Sequence, residues 1–238
     1  MRSSGIRLVS RADIASALNG LSGFAAVIFF VSDEILLGSF FVMISILLDG
    51  LDGILARKYG ALHGRGPQID SVADTISFCV APATALYSAF YVKSDPNSFL
   101  SVLTIISSSA IVFTGIVRLG EFTDSGYALD YFSGMPTPAA ALTVISSILF
   151  FKEMLPFPLA GPLIGIIVSG LMVTSIGYPK MKGSLELLSA FIILYMAISF
   201  LATFSRISCA LSWSAPAVGL GASAIYSIAG PFYQRFRG

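Results

Sequence analysis

The chain has 238 residues, of which 55% are hydrophobic and 11% charged, with a formal net charge of +1. A soluble domain carries roughly 25% charged residues, so a mean hydropathy of +0.86 assigns this chain to a lipid bilayer and excludes an ordinary soluble enzyme. The near-neutral charge gives no case for a nucleic-acid partner.

The opening segment, MRSSGIRLVSR, is too polar for a secretory leader and reads as a cytoplasmic arm, not a cleaved signal peptide. Apolar stretches long enough to cross ~30 Å of hydrocarbon follow near residues 13–31, 34–58, 69–92, 98–121, 136–152, 157–176, 183–204 and 212–234. No alternation of the kind a strand needs is sustained, so helices satisfy the backbone. This predicts an all-α fold, a polytopic transmembrane bundle of about eight spans. Spans five and six are short, and Pro156, Pro158 and Pro162 crowd the start of the sixth. Six spans with a re-entrant segment are the alternative. No repeat, linker or low-complexity tract divides the chain, so residues 1–238 read as one integral-membrane domain.

Basic residues set the orientation. With the N-terminus inside, inner segments hold Arg2, Arg7, Arg11, Arg57, Lys58, Arg65, Arg118, Lys180, Lys182, Arg235 and Arg237, against Lys93, Lys152 and Arg206 outside. The bias puts both termini in the cytoplasm. The longest inner loop, roughly residues 122–135, carries Asp124, Tyr127, Asp130 and Tyr131 and reads as a lid or as a plain connection.

Four acids interrupt the apolar pattern. Asp49, Asp52, Asp70 and Asp74 lie in LLDGLDGILARKYGALHGRGPQIDSVADTIS, across the turn between spans two and three. Acids at membrane depth are expensive and mark function by default. Spacings of three and four residues put each pair on one helix face. In the inferred orientation all four collect at the cytoplasmic end. Arg57 alone cannot neutralise them, whereas two divalent cations balance four carboxylates, and oxygen-only ligands favour Mg²⁺ or Mn²⁺ over zinc. Such a pair can hold the attacking and leaving oxygens of a phosphoryl displacement. Gly50 and Gly53 open room beside the acids, Gly60, Gly64 and Gly66 allow a tight turn, and Pro67 suits a first helical turn. A cation path in a transporter is the competing reading, but acids do not continue through later spans, which carry only Glu186.

These residues resemble the CDP-alcohol phosphotransferase pattern, D-x2-D-G-x2-A-R-x8-G-x3-D-x3-D. Asp49, Asp52, Gly53, Ala56, Arg57, Gly66, Asp70 and Asp74 match it at every fixed position. IDSVADTISFCVAPA, YFSGMPTPAAA and MVTSIGYPK are similar to the phosphatidylserine synthase branch, including its archaetidylserine synthase-like members, and Asn19 with Gly23 matches the family's N-x3-G. The resemblance extends to about residue 180, leaving residues 183–234 as additional C-terminal spans.

The resemblance implies that Asp49, Asp52, Asp70 and Asp74 ligate two metal ions, Mg²⁺ or Mn²⁺, with Asp74 also the general base. It implies CDP contacts from Gly53, Ala56, Arg57 and Gly66, and a site for the acceptor or the lipid phosphate at Arg118. The reaction would transfer a phosphatidyl or archaetidyl group from CDP-diacylglycerol or CDP-archaeol to the hydroxyl of L-serine, releasing CMP. The product would stay among the membrane lipids, and the resemblance suggests a homodimer. Inositol phosphate and glycerol phosphate are the alternative acceptors. Two departures stand out: Cys79 replaces a glycine, and Arg118-Leu119-Gly120-Glu121-Phe122-Thr123 replaces R-L-A-R-F-N.

Bland readings are also open. His63 reads as solvent-facing or hydrogen-bonded, Cys79 and Cys209 as packing residues, and Arg118 as an interfacial anchor. Gly219, Ser223 and Ser227 make a small-residue stripe for helix packing or a dimer seam. Trp213 and Tyr233 mark the ends of the last span.

Overall fold

The computed structural model describes residues 10–59, 66–125, 131–154, 157–179, 184–205 and 210–237. Among them are eight helices and one short antiparallel ribbon of two strands distant in sequence. Helix α1 spans Arg11–Val31 and α2 spans Ile35–Tyr59. Helix α3 runs Gly66–Phe90, its middle turn, Thr75–Val80, wound as a π-helix. Helix α4 is Phe99–Ser125, α5 is Thr137–Leu149 continuing through a π-turn to Met154, and α6 is Ala160–Met172. Helices α7, Ser184–Phe204, and α8, Ala210–Arg237, complete the chain. The all-α, polytopic architecture expected from hydropathy is therefore present. Helices α1, α2, α3, α4 and α7 each contain an apolar stretch long enough to cross a bilayer, while α5 and α6 are shorter.

The bundle presents large apolar side chains outward and sets hydroxyl-bearing residues among its apolar core. Leu21, Phe24 and Ile28 on α1, Phe99, Ile106 and Phe113 on α4, and Leu187, Leu188 and Phe191 on α7 face outward. Ser39, Ser45, Ser107, Ser146, Ser147 and Ser199 are fully buried. Lipid gives helices no hydrophobic reason to associate, so small and hydroxyl-bearing residues gather where backbones approach. Ser39 and Ser147 return their hydroxyls to their own helices, at the Ile35 and Val144 carbonyls, while Ser45 crosses to the Asn19 carbonyl on α1 and Ser107 to the Pro162 carbonyl on α6. Gly219 and Ser223 belong to the same class. A side chain at Gly219 would strike Met196 and Ser146, Ser223 is buried, and Ser227 reaches the Met135 sulfur at 4.0 Å. The small-residue stripe of α8 is thus used in packing within the chain.

Helix α1 lies along α2 and α3, α2 packs on α7, α4 on α6, and α8 against α5 and α7. Ser10 caps α1 by accepting from the Asp13 amide while Asp13 accepts from the Ser10 amide, a reciprocal box that fixes where the first span begins. The α1–α2 turn passes through Asp33 at φ 63°, a conformation that a short polar side chain tolerates.

Two segments depart from the sequence expectation. Strand β1, Tyr131–Ser133, pairs antiparallel with β2, Gly177–Pro179, with Phe132 opposite Tyr178. Three residues each are too few to display alternation, so neither strand was expected. Gly134 at φ +73° turns the chain out of β1, and a side chain there would meet the Met172 carbonyl. The expected loop at 122–135 is therefore shorter: α4 continues to Ser125 and β1 begins at Tyr131. The side chains of Asp124, Tyr127, Asp130 and Tyr131, and hence the lid reading, lie outside the described residues, as do His63, Cys209, Gly60, Gly64 and the side chains of Trp213 and Tyr233.

Candidate active site

The four aspartates converge where α2 and α3 face each other. Carboxylate oxygens of Asp49, Asp70 and Asp74 lie within 4.8 Å of one another. Asp52 is in hydrogen-bonding reach of Asp70. Asp70 and Asp74 lie in the first turns of α3, which begins at Gly66 with Pro67 behind it, a residue whose missing amide costs nothing there. Asp49 and Asp52 lie in the C-terminal part of α2, which ends at Tyr59, one residue beyond the expected span.

Helix α1 contributes no acid but holds two of them. Ser16 Oγ donates to Asp52 Oδ2 at 2.7 Å, and Asn19 Nδ2 donates to Asp74 Oδ1 at 2.9 Å. Asn19 is fully buried. Its own backbone carbonyl accepts from Ser77 Oγ at 2.9 Å and from Ser45 Oγ at 3.2 Å, so α1, α2 and α3 are tied at one residue. Ser77 lies in the π-turn, whose i→i−5 bonding is seen in the Ala81 amide donating to the Ile76 carbonyl. Such single π-turns inside α-helices occur often at functional sites. Gly23, one turn beyond Asn19, meets the Ser77 backbone so closely that a side chain there would collide with it. That contact gives the Asn19–Gly23 pair a physical role.

The described residues fit divalent cations. Four carboxylates crowd one end of the bundle, and Asp70 Oδ1 is buried with no hydrogen-bond partner among the described residues. Arg118, two turns before the end of α4, is buried and sits within electrostatic reach of Asp74 and Asp49. One guanidinium leaves a large negative excess, which hard cations with oxygen ligands neutralise.

The expected CDP contacts surround this cluster. Space beside Gly50 and Gly53 is open apart from the Arg57 side chain, 3.7 Å from where a Gly53 Cβ would stand. Ala56 is half-buried. Gly66 begins α3 beside the Asp13 carboxylate. Arg57 makes an ion pair at 3.0 Å with Glu186 in the first turn of α7, both side chains well exposed.

The Cys79 departure is accommodated locally. Cys79 is buried and free, and Gly115 on α4 faces it without a side chain. Volume absent from Gly115 is occupied by the Cys79 thiol. Sequence reading missed Ser16, Tyr178 and Tyr226, the last two packed ring to ring at 5.5 Å near Arg118. Ser16 carried a signal, since Ser16, Asn19 and Gly23 form a polar and small stripe at helical spacing on an apolar span.

A bundle of membrane helices with four convergent aspartates beside an open, glycine-lined space defines a membrane enzyme site suited to phosphate chemistry. A family model described as CDP-alcohol phosphatidyltransferase matches residues 10–177, and the chain belongs to that family. It is 36% identical over 175 residues to the archaetidylserine synthase of Methanothermobacter thermautotrophicus, covering 72% of this chain and 70% of that protein. It is 31% identical over 204 residues to the CDP-diacylglycerol–serine O-phosphatidyltransferase of Methanocaldococcus jannaschii, covering 85% and 90%. The enzyme of that name from Helicobacter pylori strain J99 is 32% identical over 183 residues, covering 74% and 75%.

Proposed function

We propose that the protein transfers a phosphatidyl or archaetidyl group from CDP-diacylglycerol or CDP-archaeol to the hydroxyl of L-serine. The serine oxygen forms a bond to the lipid-side phosphorus, the bond from that phosphorus to the bridging oxygen breaks, and CMP departs with that oxygen. The serine proton passes to the protein. The observation that carries this reading is the four-aspartate cluster, in a chain whose family relatives across most of their length are serine transferases.

In this reading Asp49, Asp52, Asp70 and Asp74 hold two divalent cations, Mg²⁺ or Mn²⁺. When bound, those ions neutralise the pyrophosphate and stabilise the attacking and leaving oxygens. Asp74 is the general base, and Asn19 keeps one of its oxygens engaged so that the other is directed to the acceptor. Gly53, Ala56 and Gly66 admit the nucleotide by keeping its path free of side chains. Arg57 exchanges its exposed partner Glu186 for the pyrophosphate, an exchange that costs little because exposed ion pairs contribute only about 0–1 kcal/mol. Arg118 supplies the remaining positive charge beside the reacting groups.

The basic-residue bias supports a cytoplasmic active site and cytoplasmic termini, where serine and CDP-lipid headgroups are both available. Phosphorylated acceptors need a further basic pocket, and Arg118 is the buried cation beside the cluster among the described residues. That favours a neutral or zwitterionic acceptor. We also take the enzyme to act as a homodimer. CMP release by purified protein given CDP-lipid, L-serine and Mn²⁺ tests the reaction; no release with any acceptor alcohol tested removes the transferase reading.

A further inference from the structure

The four aspartates do not form one even group. Carboxylate oxygens of Asp49, Asp70 and Asp74 lie within 4.8 Å of one another, while Asp52 falls outside that set and is in hydrogen-bonding reach of Asp70. What holds Asp52 comes from another helix. Ser16 Oγ on α1 donates to Asp52 Oδ2 at 2.7 Å, and the two residues are only 4% and 6% exposed.

The plain alternative is a serine that satisfies itself on its own helix, as Ser39 does. Ser16 has that option, since its hydroxyl lies 3.2 Å from the Ala12 carbonyl one turn back. A hydroxyl has a single proton to give. The 2.7 Å contact is the usual length of an O–H···O bond, and an ionised acceptor makes a bond roughly twice as strong as a neutral one. The proton therefore goes to Asp52. So short a side chain spans the gap because α1 lies against α2 at this point, where Ser45 of α2 also bonds the Asn19 carbonyl. Asn19 itself, three residues on and so on the same face of α1, donates to Asp74. One face of α1 thus engages one acid of each pair: Asn19 holds a member of the close set, and Ser16 holds the acid outside it.

We infer that Ser16 is a positioning residue for one of two divalent cations, the ion that depends on Asp52, as distinct from the ion that Asp49, Asp70 and Asp74 can enclose by themselves. By fixing the Asp52 carboxylate it sets the affinity of that one site, because partners of metal-ligating groups orient the ligand. Ser16 lies outside the eight fixed positions of the aspartate pattern, all of which fall on α2, α3 and the turn between them. The inference rests on the two-ion reading proposed above.

The test is Mn²⁺ binding to the purified full chain in detergent, without substrate, followed by the paramagnetic resonance of free Mn²⁺. The parent should bind Mn²⁺ in two classes. Ser16→Ala should weaken one class by roughly ten- to a hundredfold, the usual loss when the partner of a metal ligand is removed, and leave the other within about threefold. Asp52→Asn should weaken the same class. Ser16→Thr keeps the hydroxyl and should bind like the parent. Ser16→Val has the shape of threonine without the hydroxyl and should behave like Ser16→Ala, so this pair separates the hydrogen bond from packing. Ser39→Ala removes a buried hydroxyl that stays on its own helix and should leave both classes unchanged. In CMP release, excess Mn²⁺ should return the kcat of Ser16→Val toward the parent value, which a loosened fold would not allow. Equal Mn²⁺ binding by Ser16→Val and Ser16→Thr overturns the inference, and so does equal weakening of both classes. A parent protein with a single class of Mn²⁺ removes the two-ion reading itself, and the inference with it.

Discussion

Asn19 in α1 donates to Asp74 in α3 across 2.9 Å and, together with the Ser16–Asp52 bond, ties the first span to the aspartate cluster. The bond fixes one carboxylate oxygen and leaves the other toward the cluster. Ser45 and Ser77 both donate to the Asn19 backbone carbonyl, which anchors the backbone from which this side chain reaches Asp74.

Asn19→Ala should therefore lower kcat by roughly ten- to a hundredfold, the effect of losing a hydrogen bond to a charged group. The KM for CDP-lipid should change less, because Asn19 touches no expected CDP contact. Steady-state CMP release across a range of both substrates checks the split. A fall confined to KM would make Asn19 part of the lipid site.

The aspartates should separate by role. Asp74→Asn keeps the shape and the bond to Asn19 within reach of an amide swap, but cannot accept the serine proton, so turnover should vanish while CDP-lipid binding partly survives. Asp49→Asn and Asp52→Asn should weaken Mn²⁺ binding, read by paramagnetic resonance or calorimetry independently of turnover. Activity of Asp74→Asn equal to the parent would sink the base assignment.

Removing divalent cations leaves four carboxylates with Arg118 as their buried counter-charge. Chelation should abolish CMP release, and Mg²⁺ or Mn²⁺ should restore it while Na⁺ at equal ionic strength should not. Thermal unfolding in detergent should also shift upward on adding the divalent ion, since a ligand that binds the folded state stabilises it. An unchanged midpoint across saturating Mn²⁺ would contradict a metal site at this cluster.

Gly115 and Cys79 offer a test of the packing. Gly115→Ala should destabilise by about 1–3 kcal/mol, the usual cost of overfilling a tight interior, because the new methyl meets the Cys79 thiol. Adding Cys79→Gly should recover most of that loss, as expected for two residues sharing one space. Melting curves of the two single variants and the double variant measure the coupling; additive losses would show that the two sites do not share volume.

Much of this was legible because membrane burial makes exceptions conspicuous. Acids at Asp49, Asp52, Asp70 and Asp74 stand out in an apolar chain, and their three- and four-residue spacings require common helix faces. Helix positions followed from hydropathy, and the start of α3 from Gly66-Pro67. The β1–β2 ribbon did not, because pairing between residues 131 and 179 is a long-range event with too little local pattern. Tyr178 and Tyr226 were hidden for the same reason. Only the fold stacks their rings and brings Tyr226 within electrostatic reach of Arg118. The π-turn at Thr75–Val80 likewise depends on Asn19 and Gly23 pressing on Ser77, contacts between helices that span periodicity does not encode.

The central claim is that the four aspartates serve transfer from a CDP-linked lipid to a serine hydroxyl. Purified protein should be given CDP-lipid and Mn²⁺ with L-serine, glycerol 3-phosphate or inositol 1-phosphate in parallel, and CMP should be measured. The expected result is CMP release with L-serine, with a lipid product carrying its carboxylate, and little with the phosphorylated alcohols. Release driven by glycerol 3-phosphate or inositol 1-phosphate and absent with serine would contradict it.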